Sequence, residues 1–161
     1  MSRIMQPART PSGQVFDVQA LQSVSGATFL RGAVLTFTSG EVNEGGTNPT
    51  PIVGVALQAA DTNPGFAAAN NPSPITGRQR KVSTARANDV TVFSATLTNG
   101  SSTRIAPVQA DVGAQYGITA YSGVWTVDKN KTSTNARVTI VDIDTALNVV
   151  FFKFMDSHLA S

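Results

Sequence analysis

Residues 115–128 read QYGITAYSGVWTVD, and this stretch decides the fold class. Two short runs of β-branched and aromatic residues, YGITA and VWTVD, flank Tyr121-Ser122-Gly123, the pattern of strands joined by a tight turn. The reading extends outward. In TVFSATL (91–97), Phe93, Ala95 and Leu97 share one face because side chains alternate along a strand, and Val90 and Val92 lie on the other. Asn99-Gly100 follows, a pair that tolerates the positive φ angles of tight hairpins. In VTIVDID (138–144), Val138 and Ile140 oppose Val141 and Ile143, which predicts a central strand with two apolar faces. Strands are expected over 14–18, 28–38, 52–60, 79–86, 90–98, 103–109, 115–121, 124–128, 136–144 and 148–154. No helical pattern of a dozen residues occurs, and only short turns near 19–23 and 145–148 are expected.

Two polar segments, 40–51 and 61–77, interrupt these runs and hold most of the prolines. Such long loops suit a functional excursion. Residues 1–13, MSRIMQPARTPSG, contain two prolines, a glycine and two arginines without periodicity, and read as an extended arm in front of a single domain spanning 14–161. Ile4 and Met5 give the arm apolar groups to bury, and its removal is expected to leave the body folded.

At 161 residues the chain matches one domain, able to bury roughly 70% of the surface of its unfolded form. It has no cysteine, which excludes disulfides, thiolate nucleophiles and cysteine-based metal sites. Charged residues are only 14%, so the polar surface is carried by Ser, Thr, Asn, Gln, Gly and Pro, which suits β domains and proteins covered by neighbours in an assembly. A net charge of +2 is too balanced to argue for nucleic acid. The stretch 77–88 carries Arg78, Arg80, Lys81 and Arg86 without an acid, but it lacks aromatic residues for base stacking and reads as a solvated strand face. Nucleic acid is not expected as a partner. There is no apolar stretch of signal-peptide or membrane-span length, so the protein is expected to be made and used in water, with no membrane partner.

The chemistry-bearing motifs fail one by one. His158, the sole histidine, lies near the C-terminus, and the G-x-S-x-G pattern of serine hydrolases is absent. Asp142 and Asp144 end an apolar run and point the same way from a strand, an arrangement able to meet Mg²⁺ with help from Asp128 or Asp156. The position near the chain's end favours a solvated strand terminus, and no metal is expected. No G-x-x-x-x-G-K loop exists, and Gly45-Gly46 precedes no helix, so no nucleotide or other cofactor is expected. Asn99 and Asn130 satisfy the glycosylation sequon only nominally. The expectation is a protein that is not an enzyme.

Four quoted pieces carry a resemblance: RGAVLTFTSGE (31–41) with PIVGVALQAAD (51–61), then QYGITAYSGVWTVDKNKTSTNARVTIVDID (115–144) with NVVFFKF (148–154). The chain resembles the head decoration, or cement, proteins of tailed bacteriophages over residues 28–60 and 115–154. The resemblance implies an all-β, compact β-barrel or β-tulip-like domain with an extended N-terminal arm and long loops. It further implies a homotrimer made in the host cytoplasm that sits on the outer surface of the virion's mature capsid. There it would bind the major capsid protein and stabilise the shell against internal DNA pressure. The arm residues Arg3, Ile4, Met5 and Arg9 are the expected capsid contacts. The alternative is a receptor- or glycan-binding domain of a phage tail or fibre assembly, with loops 40–51 and 61–77 as the recognition elements.

Overall fold

A computed structural model describes residues 4–9, 16–24, 26–60 and 81–161. The decisive stretch folds as read. Strands β8 (Gln115–Tyr121) and β9 (Val124–Asp128) form a hairpin whose two turn residues, Ser122 and Gly123, have φ of 51° and 78°. Positive φ at both central positions matches the turn's twist to that of the strands. The same dipeptide works again at Ser39-Gly40, with φ of 51° and 84°, between β3 (Val34–Thr38) and β4 (Glu41–Glu44). The segment 40–51, expected as loop throughout, therefore opens with a strand.

Apart from Gln6–Arg9, which joins the C-terminal strands, the chain divides into two sheets by halves. Strands β2 (Val18–Gln22), β3, β4, β5 (Ile52–Ala56) and β6 (Lys81–Arg86) form an antiparallel sheet in the order β2-β6-β5-β3-β4. Its outer strands approach each other at a Ser23–Val42 bridge. The second sheet runs β1-β7-β11-β10-β8-β9, using β1 (Gln6–Arg9), β7 (Val92–Thr98), β10 (Val138–Asp144) and β11 (Val149–Phe154). It curls back on itself where Leu97 and Thr98 of β7 pair in parallel with Val127 and Asp128 of β9. The fold is all-β as expected, with closure over two residue pairs rather than a full ladder.

One buried cluster joins both sheets. All five residues of β5 and all seven of β7 are buried, so these strands present covered side chains on both faces. Phe93, Phe152 and Phe154 meet at centroid distances of 5.1 to 6.1 Å. Rings at this spacing add edge and offset contacts to the burial of their apolar area.

Several expected strands differ. Residues 103–109 form no strand: after Asn99-Gly100 the chain makes a single bridge, Thr98 to Arg104, with the Ile105 amide donating to the Leu97 carbonyl at 3.0 Å on the edge of β7 opposite to β9. The strand expected over 28–38 starts only at Val34, since Gly32 takes φ of 88° in a turn. Strand β2 extends through 19–22, where a turn was expected, and 14–15 lie outside the described residues. β10 has neighbours on both sides, as a central strand should, yet its alternation breaks at a bulge between Ile140 and Asp142. The extra residue leaves Val141 exposed while Val138 and Ile140 stay buried.

Candidate functional site

The N-terminal segment is the sequence's candidate contact site, and residues 4–9 of it are built into the body. β1 pairs antiparallel with β7, matching Gln6 to Ser94 and Pro7 to Phe93, with an irregularity before Arg9. Met5 is 1% exposed and belongs to the common core. The expectation of a dispensable arm is therefore corrected for these residues: their removal would uncover β7 and empty the Met5 site. Ile4 packs over Gly32, where any side chain would collide with it, yet it remains 43% exposed. Two residues away Leu30 is 52% exposed and lies against Gly123 of the β8–β9 turn. Arg3 lies outside the described residues.

Arg9, an expected capsid contact, and Asp142, a candidate metal ligand, turn out to be each other's partners. Arg9 donates to Asp142 Oδ2 at 2.7 Å and stands 5.2 Å from the centre of the Phe151 ring. The guanidinium, with the Ile143 amide, holds the Asp142 carboxyl below its ordinary pKa. Asp144 accepts from the Leu147 amide and shapes the β10–β11 turn. Among the described residues, no three His, Asp or Glu side chains stand close enough to hold a metal ion.

Asp128, the suggested helper, is 2% exposed and is a structural hub. Its Oδ1 accepts from the amides of Gly100 at 2.8 Å and Asn130 at 3.0 Å. Its Oδ2 accepts from the hydroxyls of Thr119 and Tyr121. Four donors replace the water that a buried carboxylate loses. Asp156 instead opens the C-terminal turn, lining two clefts of about 360 and 480 Å³ that meet at Asp89 and Asp156.

Two further hubs escaped the sequence reading. Asp111, 1% exposed, accepts from Tyr116 Oη at 2.7 Å, Lys129 Nζ at 2.6 Å and the Val108 amide. Burial pushes its carboxyl up, but the three donors outweigh it and hold the group below its ordinary pKa. Arg137, 6% exposed, donates to the carbonyls of Asn48, Pro49, Thr134 and Ala136. This fastens the glycine- and proline-rich segment after β4 to the second sheet. Nearby His158 is pushed below its ordinary pKa by burial and then by the Arg137 charge.

The remaining candidates are dispersed. Trp125 donates to Glu44 at 2.7 Å and is 2% exposed, so it offers no stacking face to the narrow cleft of about 120 Å³ beside Gly45, Gly46 and Lys131. Lys81 is exposed and Arg86 half-buried, whereas Arg78, Arg80 and the segment 61–77 lie outside the described residues. Set against known proteins, the chain matches no family model, no curated protein and no solved structure.

Proposed function

We propose that this protein is a capsid decoration protein of a tailed bacteriophage, binding the outer surface of the head as a homotrimer through the N-terminal end of its β body. The observation that carries the reading is the division of labour in residues 4–9. Met5 and Arg9 fasten the segment to the body, while Ile4 keeps an apolar side chain in solvent over Gly32, two residues along the chain from the exposed Leu30. Exposed apolar side chains held on a fixed backbone lose little conformational freedom when a partner covers them.

The work required of such a protein is mechanical. The buried aspartates and Arg137 spend their hydrogen bonds on loop amides, hydroxyls and carbonyls, which stiffens the connections between strands. One small contact with a shell binds weakly. Three copies on one trimer raise avidity by about 10² to 10⁴, provided their spacing matches the lattice. Binding only the assembled shell then stabilises it by mass action.

The test is co-sedimentation with mature heads of the wild type and of an Ile4→Ser, Leu30→Ser double variant. Both side chains are exposed, so the variant should fold and keep its oligomeric mass while losing head binding. Undiminished binding by the folded variant would remove this surface from the proposal.

A further inference from the structure

Asn99-Gly100 is the chain's one Asn-Gly pair. It is the sequence at which an asparagine side chain is most easily attacked by the next backbone nitrogen, because glycine places no Cβ in the way. In that reaction the Gly100 nitrogen, losing its proton, bonds to Asn99 Cγ, and the side-chain amide leaves as ammonia. Water then opens the resulting succinimide at either carbonyl, giving aspartate or isoaspartate. Asn99 is exposed at the loop that follows β7, open to the water this chemistry consumes.

The attacking nitrogen is not free. Gly100 donates its N–H to Asp128 Oδ1 at 2.8 Å, and its φ of 72° fixes that orientation. Asp128 is itself fixed by the Asn130 amide and the hydroxyls of Thr119 and Tyr121, on a hairpin distant in sequence from the reactive pair. The Lys129 amide donates to the Thr98 carbonyl at 2.9 Å, tying the same loop down a second time. We infer that Asn99 is a latent deamidation site and that Asp128 is the residue that keeps it closed in the folded protein. A carboxylate accepting this N–H opposes the reaction twice. Its negative charge disfavours removal of the proton, and the bond holds the nitrogen away from Asn99 Cγ. Breaking one charge-assisted hydrogen bond before attack slows the reaction by about ten- to a hundredfold. The inference stands independently of the partner proposed above, although long service on a particle would make such protection valuable.

The experiment ages three samples in mildly alkaline buffer: the folded protein, the same protein in urea, and an Asp128→Ala variant. Peptide mass mapping follows the amide-to-acid mass gain and the isoaspartate at position 99. The expected result is slow change in the folded protein, with release at least about tenfold faster in urea and, where circular dichroism shows a retained fold, in Asp128→Ala. Equal rates in folded and urea-treated wild type would overturn the latent site. A folded Asp128→Ala variant as slow as wild type would overturn the role of Asp128. If that variant unfolds, exchange of the Gly100 amide proton in the wild type decides instead: slow exchange supports the closed state, and exchange at the rate of an open loop refutes it.

Discussion

Asp128 ends β9 and Asp142 sits at the bulge within β10 of the same sheet, and both are residues that sequence alone nominates for metal binding, yet the fold gives them opposite duties. Asp128 is buried and answers four donors drawn from three loops and strands. Asp142 is half-exposed and accepts directly from Arg9 at 2.7 Å, with both groups open to solvent. The difference teaches that the value of a carboxylate here is set by the solvent it has lost. A buried acceptor leaves its donors stranded when it goes, whereas an exposed one is replaced by water.

Substitutions at the two residues should therefore differ sharply, and the largest effect belongs to the hub. Asp128→Ala leaves two amides and two hydroxyls without an acceptor and should lower stability by about 3 kcal/mol or more in urea titration. A loss under about 1 kcal/mol would put water in the place of the carboxylate and break the contrast. Next comes the segment that carries Arg9. Met5→Ala removes a fully buried side chain and should lose about 2 to 5 kcal/mol by the same titration, making the segment part of the cooperative unit. If truncation of Met5 were silent, residues 4–9 would act as an attachment and not as a strand of the body.

A smaller effect is expected from His158, which faces the Arg137 cation where the C-terminal turn meets the sheet. Its folded pKa lies below the ordinary 6.5, so the unfolded chain takes up the proton first and stability falls as pH drops through that value. Thermal melts taken downward from neutral pH should show this slope, and His158→Gln should flatten it. The smallest effect belongs to the exposed pair. Arg9→Ala should lose less than about 1 kcal/mol, and added salt should shrink the loss further. A salt-insensitive loss would shift the role of Arg9 to its contact with Phe151.

Local chemistry was legible in the sequence, and distant pairing was not. The β8 and β9 boundaries follow from Ser122-Gly123, and β4 was readable from the identical Ser39-Gly40 pair, had its polar surroundings not suggested a loop. Asn99-Gly100 carries the same turn signal but makes no hairpin: its turn is fastened to Asp128 of β9, some thirty residues on, and the chain beyond it meets β7 only at Arg104. The bulge at Val141 changes the phase of β10 without any glycine or proline to announce it. The hubs were equally hidden. An aspartate in sequence says nothing of the amides that will surround it, and Arg137 reads as one more surface cation until its four carbonyls are in place. The anchoring of residues 4–9 likewise depends on β7, more than eighty residues away. Ile4, Met5 and Arg9 were nominated together as contacts, but only the three-dimensional arrangement separates the two that fasten the segment from the one left outward.

The most direct measurement of the account is electron microscopy of mature heads incubated with the purified protein, combined with its mass in solution. The account predicts a trimer in solution and matching density over the three-fold positions of the shell. A monomer that leaves the heads bare, or density confined to the tail, would contradict it.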